Sequence, residues 1–158
     1  MKIAYQGVSG SYSESCAKEN YGECETIPCK TFDECFELAN NDSSIKAIIP
    51  ESNKTTGNIG VEYLIFKYRL NIFAEHFYSI QHNLLGLPGA KKKDITDVYS
   101  HAQALSQSSN FIKKNKLNEN VRADTAGSAK YVSECGDKSK GAIASMLSSK
   151  IYNLDVIQ

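Results

Sequence analysis

The chain is poor in several things, and each shortage excludes a class of function. It has no excess charge, because 18 Lys and Arg balance 18 Asp and Glu. No basic surface therefore draws it to nucleic acid or to an anionic membrane. Arginine is scarce: Arg69 and Arg122 are the two present, so the usual bidentate clamp for carboxylates is almost missing. No apolar run is long enough to cross a bilayer, and the chain opens on a strand pattern, Lys2-Ile3-Ala4-Tyr5-Gln6, with no apolar leader. Closely spaced Cys/His pairs are absent, so no metal is expected. The five cysteines, Cys16, Cys24, Cys29, Cys35 and Cys135, are odd in number and irregular in spacing, as in the reduced thiols of a cytoplasmic protein. No serine sits in the glycine pattern of a nucleophile elbow, which argues against a serine hydrolase. Internal repeats, low-complexity segments and flexible linkers are lacking too.

What is present is a chain of 158 residues, 41% apolar and 23% charged, ordinary for a globular protein with a sizeable core. Strand and helix patterns alternate. Strands are predicted over 2–6, 25–29, 45–49, 72–87 in two pieces, 96–99, 121–123, 142–144 and 155–157. Helices are predicted over 12–20, 32–40, 59–67, 102–114, 126–135 and 146–152. Strands separated by helices of this length imply crossover connections and mainly parallel sheets. Ser11 with Glu14, and Thr31 with Glu34, read as capping boxes. The stretch 72–87 has no helix of its own and reads as a crossing between two α/β lobes. The expected division is a first lobe of about 1–75 and a second of about 76–158, facing a cleft.

Four junctions at strand ends carry the residues that could act chemically. Gly7-Val8-Ser9-Gly10-Ser11-Tyr12-Ser13 combines two glycines, which permit close backbone approach, with a following helix start. Pro50 to Gly57 places a run of polar side chains after the third strand, where open α/β sheets bind ligands. Ser100-His101 stands at a strand end and helix start; the serine is suited to cap the helix or bind an anion, and the histidine to donate or titrate. Asp124-Thr125-Ala126-Gly127 leads a hydroxyl residue into a helix whose first turn is small. Each junction also has a purely local explanation as a turn, cap or solvated loop; it is their repetition that points to a carboxylate-bearing ligand.

These motifs, in this order, resemble the catalytic domain of prephenate dehydratases along essentially the whole chain. The resemblance rests on Ala4-Tyr5-Gln6-Gly7 with Gly10 and Ser13; Glu75 with Ile80-Gln81-His82-Asn83-Leu84; and Ser100-His101-Ala102-Gln103-Ala104-Leu105. It continues through Asp124-Thr125-Ala126-Gly127-Ser128-Ala129 to Ala142-Ile143-Ala144-Ser145 with Ile151-Tyr152-Asn153-Leu154. The resemblance implies a two-lobed fold like type II periplasmic binding proteins, with a cleft between lobes. It also implies decarboxylative dehydration of prephenate to phenylpyruvate without cofactor or metal, and a homodimer or larger assembly. The substrate contacts it suggests are Asn53, Ser100, His101 and Thr125, with Ser11, Ser13, Lys54 and Ser52 beside them.

Two departures from the family pattern bear on activity. The family's Pro-Ile-Glu-Asn-Ser-x-x-Gly motif aligns without a gap on Pro50 to Gly57, which puts Ser52 at the glutamate and Lys54 at the serine and retains Asn53. The family's Thr-Arg-Phe motif, with the threonine usually given the acid role, does not occur in these 158 residues. The residues therefore leave two readings open: a dehydratase domain, truncated or divergent, or a non-catalytic aromatic-acid binding protein of the same fold. They do not separate prephenate from its amino analogue, arogenate.

Overall fold

A computed structural model describes residues 1–55 and 57–158. It forms two compact units: Met1–Val8 with Ser13–Tyr78, and Ser9–Tyr12 with Ser79–Gln158.

The first unit is a three-stranded parallel sheet, β1 (Lys2–Gln6), β2 (Glu25–Cys29) and β3 (Ile45–Ile48), in the order β2-β1-β3. Ile3, Ala4 and Tyr5 of the central strand are all buried, although they alternate in direction. Both faces of the sheet are therefore covered, as parallel sheets require. The helices are α1 (Tyr12–Tyr21), whose first residue belongs to the second unit, and α2 (Phe32–Asn41). The Thr31 hydroxyl caps α2 by accepting from Glu34 N at 3.1 Å; the Glu34 carboxylate reaches one residue past the expected box, accepting from Lys30 N at 2.7 Å. Glu14 is 3% exposed, and its carboxylate accepts from Thr26 Oγ1 at 2.9 Å and pairs with Lys18 at 2.8 Å. Beyond β3 lies a short hairpin absent from the sequence-based reading, β4 (Ser52–Asn53) and β5 (Gly57–Asn58), followed by α3 (Glu62–Tyr68).

The second unit is a five-stranded sheet of β6 (Asn83–Gly86), β7 (Asp97–Ser100), β8 (Asn118–Val121), β9 (Lys140–Ala144) and β10 (Asp155–Val156), in the order β10-β6-β9-β7-β8. Strand β7 pairs in parallel with both β8 and β9, while β6 alone is reversed and pairs antiparallel with its neighbours β9 and β10. Its helices are α4 (Ala102–Gln107), α5 (Ser109–Lys114), α6 (Thr125–Cys135) and α7 (Met146–Tyr152). Side-chain alternation divides the core in two. Leu84, Val98 and Ile143 pack one face with Leu105 and Ile112; Leu85, Ala142 and Ala144 pack the other with Ala129 and Val132.

The α/β class with mainly parallel sheets is observed, and four element expectations are corrected. Of residues 72–87, β6 alone is a strand. Apolar Ile72, Phe73 and Phe77 gave that stretch a strand pattern, yet they are exposed and pair with no neighbouring strand. The helix expected over 102–114 breaks at Ser108, within a Ser-Gln-Ser-Ser-Asn run whose side chains compete for backbone hydrogen bonds. The strand expected over 121–123 lies earlier, because its ladder with β7 sets it: Asn118 pairs with Asp97 and Val121 with Ser100. The helix expected from residue 59 begins at Glu62.

Helix α3 is fastened to α2 through Asp33, which accepts from Lys67 Nζ at 2.6 Å and Tyr68 Oη at 2.7 Å. Those bonds, the lysine's first, hold the Asp33 carboxyl below the usual carboxylate range. A lowered folded pKa contributes stability at neutral pH that is lost as pH falls through that range. Asp33→Asn should therefore flatten the acid side of the stability profile below about pH 5, read as urea midpoints across a pH series.

Candidate functional site

The parallel pairing of β8, β7 and β9 brings three strand carboxyl ends to one edge of the five-stranded sheet. Ser100-His101 leaves β7 there, Arg122 to Thr125 leaves β8, and Ser145 leaves β9. Antiparallel β6 begins at the same edge, since Asn83 pairs with Ala144. His82 and Asn83 therefore join the group.

Each helix start at this edge is occupied by the chain itself. The Ser100 hydroxyl is fully buried and donates to Ile143 O at 2.6 Å, so it ties β7 to β9 and does not cap α4. The cap comes from His101, whose Nδ1 accepts from Gln103 N at 3.3 Å, leaving the ring exposed. At α6 the cap is Asp124, whose Oδ1 accepts from Gly127 N at 2.5 Å; Thr125 is half-buried in the first turn. A carboxylate already holds the positive end of α6. At α7 the cap is Ser145, accepting from Ser148 N at 3.0 Å.

The glycine loop of the N-terminal segment docks onto α7. Ser145 Oγ and Ser148 Oγ donate to Gly10 O at 2.6 and 2.9 Å, and Tyr152 Oη donates to Ser9 O at 2.6 Å. Gly10 has φ +93°, and a β-carbon there would lie 2.5 Å from Ser148 Oγ. Positive φ and close contact both demand glycine. The neighbouring Tyr12 hydroxyl lies 2.8 Å from His82 Nδ1 and 3.1 Å from Gln81 O, and His82 Nε2 lies 2.7 Å from Gln107 Oε1. When the Tyr12 hydroxyl donates to Gln81 O, both ring nitrogens face acceptors, which suits the protonated ring. When it turns to donate to Nδ1, the neutral ring with hydrogen on Nε2 fits. Sequence reasoning recorded His82 as a family match and gave it no role; its spacing from Tyr12 and Gln107 holds no signal of their contact.

The remaining expected residues fall elsewhere. Ser11 is in the second unit and Ser13 in the first, both half-buried. Ser52, Asn53 and Lys54 belong to the first unit, where Asn53 Oδ1 accepts from Thr55 N at 2.8 Å in a local turn. Ser52 and Lys54 are exposed, and Thr56 of that loop lies outside the described residues. Among the described residues, no group of three or more His, Cys, Asp or Glu side chains is placed to hold a metal ion, and no helix is long and apolar enough to cross a membrane.

The glycine-loop dock yields a test. Gly10→Ala combines a left-handed φ with an overlap on Ser148 and should cost about 1–3 kcal/mol, read by denaturation. Adding Ser148→Ala removes the nearest atom but leaves Ser148 Cα 3.0 Å away and breaks the bond to Gly10 O, so the double variant should stay well below wild type in stability.

Residues 3–158 match the family model for prephenate dehydratase. Arogenate dehydratase 2 of Petunia hybrida is 40% identical over 158 residues, covering 99% of this chain and 40% of the relative. The chain thus spans well under half the length of that curated relative. A solved structure described as GqqA, a novel type of quorum quenching acylase, superposes with a TM-score of 0.94 at 30% identity, covering all of this chain and 58% of the other. A prephenate dehydratase from Arthrobacter aurescens in complex with L-Phe gives a TM-score of 0.88 at 21% identity, covering all of this chain and 55% of that one, and supports the fold. With its family motifs spread over both units and the match running nearly end to end, the chain belongs to the prephenate dehydratase family.

Proposed function

We infer that this chain forms the dehydratase part of an enzyme that aromatises prephenate or its amino analogue arogenate, in aromatic amino-acid biosynthesis. The observation that carries the reading is the gathering of His82, His101, Thr125 and Arg122 at one sheet edge of a chain that belongs to this family. The chemistry asks little of the protein. The ring carboxylate leaves as carbon dioxide, and its C–C bonding pair becomes ring π density. The C–O pair departs with the 4-hydroxyl, which takes up one proton and leaves as water. Aromatisation supplies the driving force, so the site must orient the substrate and supply that proton.

His82 is our candidate for holding that proton, because Tyr12 and Gln107 satisfy its ring in either charge state. His101 and Thr125 remain proposed substrate contacts, together with Ser11, Ser13 and the loop residues Ser52, Asn53 and Lys54. Ser100 we assign to holding the edge together, since its buried hydroxyl is engaged by β9. No cofactor or metal enters the scheme. Five free cysteines suit a reducing compartment such as the cytoplasm. A homodimer or larger assembly is supported by the exposed apolar side chains Tyr63, Phe66, Phe73 and Phe77.

The test is turnover by the purified chain, with phenylpyruvate followed from prephenate and phenylalanine from arogenate. The expected result is product formation that falls about 10²-fold or more in His82→Ala. A rise in melting temperature with either substrate but no product would favour the alternative of a non-catalytic aromatic-acid binding protein. Neither product nor thermal shift would remove both readings.

A further inference from the structure

The geometry points to Arg122 and Asp124 as a paired recognition site for an α-amino acid group, selecting arogenate over prephenate; this rests on the functional reading above. Arg122 follows β8 directly, and its backbone N–H donates to Ser100 O at 2.8 Å. Its guanidinium carbon lies over the Tyr131 ring, 4.1 Å from the ring centre. Tyr131 also engages Lys140, whose ammonium donates to the phenol oxygen at 3.1 Å, and the Tyr99 ring 5.0 Å away. Arg122 itself is exposed, so its guanidinium keeps one face against the Tyr131 ring while staying open to a ligand from solvent. It also lacks a carboxylate partner, because every ion pair formed among the described residues uses a lysine.

Asp124 faces the same groove, a volume of about 250 Å³ lined by Val121, Arg122, Ala123, Asp124 and Gly127. One carboxylate oxygen caps α6, and the other has no hydrogen-bond partner among the described residues. A side chain at Gly127 would press on that carboxylate, since a β-carbon there would lie 2.8 Å from Oδ2. The groove is smaller than the roughly 300–1,000 Å³ that encloses a whole small ligand, so it fits one end of a substrate. Because Asp124 already fills the helix terminus, an incoming carboxylate is left with Arg122, and the open Asp124 oxygen accepts an ammonium. An α-amino acid presents that pair of charges. An α-keto acid presents the carboxylate alone and leaves Asp124 without a donor.

The test is calorimetric titration of the full chain with arogenate and with prephenate. Wild type should bind arogenate at least about tenfold more tightly, the worth of one charge-assisted hydrogen bond. Asp124→Asn keeps a capping side chain and removes the charge; it should weaken arogenate binding about 10- to 100-fold and leave prephenate within about twofold. Arg122→Gln should weaken both ligands by about tenfold or more. Wild type favouring prephenate, or an unchanged arogenate-to-prephenate ratio in Asp124→Asn, overturns the assignment while the functional reading stands. So does wild-type affinity in Arg122→Gln. Binding of neither ligand to wild type removes the functional reading itself, and this inference with it.

Discussion

The site depends on one constraint, the parallel register of β7 with both its neighbours. Parallel strands must be joined by crossovers, so each carboxyl end at this edge is followed by a helix start. Three chain segments of unrelated sequence are thereby brought side by side. Buried Ser100 strengthens the constraint, since its hydroxyl bonds across to Ile143 O and its carbonyl receives Arg122 N–H. The first of these bonds belongs to the side chain and ties β7 to β9; the second belongs to the backbone and ties β7 to the end of β8.

The helix starts at this edge are filled by the protein's own groups: His101 at α4, Asp124 at α6 and Ser145 at α7. Their electrostatics differ from a simple anion cradle. Asp124 offsets the positive end of α6, which leaves side chains to attract a carboxylate, and Arg122 is the cation we propose for that task. His82 sits beside them, just before the strand that runs the other way, where the docked N-terminal loop brings Tyr12 to its ring.

The fold class was legible because its signals are local. The patterns at 2–6, 25–29 and 146–152 reproduce β1, β2 and α7 to the residue. Errors arose where partners, not local pattern, set the outcome. Polar β8 is held by its ladder to β7, and the apolar stretch before β6 finds no strand to pair with. The site was legible as positions and less so as roles. Thr125 and His101 stand at the expected junctions, but the capping expected of Ser100 belongs to His101. The Tyr12–His82–Gln107 network joins residues 70 and 25 positions apart, and no periodicity or spacing encodes such a meeting. Arg122 drew attention in the sequence only as one of two arginines; the register of β8 against β7 is what brings it to this edge.

The central claim is that substrate is held at the carboxyl edge of β9, β7 and β8. Hydrogen exchange on the full chain, with and without saturating arogenate, addresses it most directly. The account predicts slowed exchange in the segments around His82, His101, Arg122 to Gly127 and Ser145. Slowed exchange confined to segments away from that edge, with ligand bound, would contradict it.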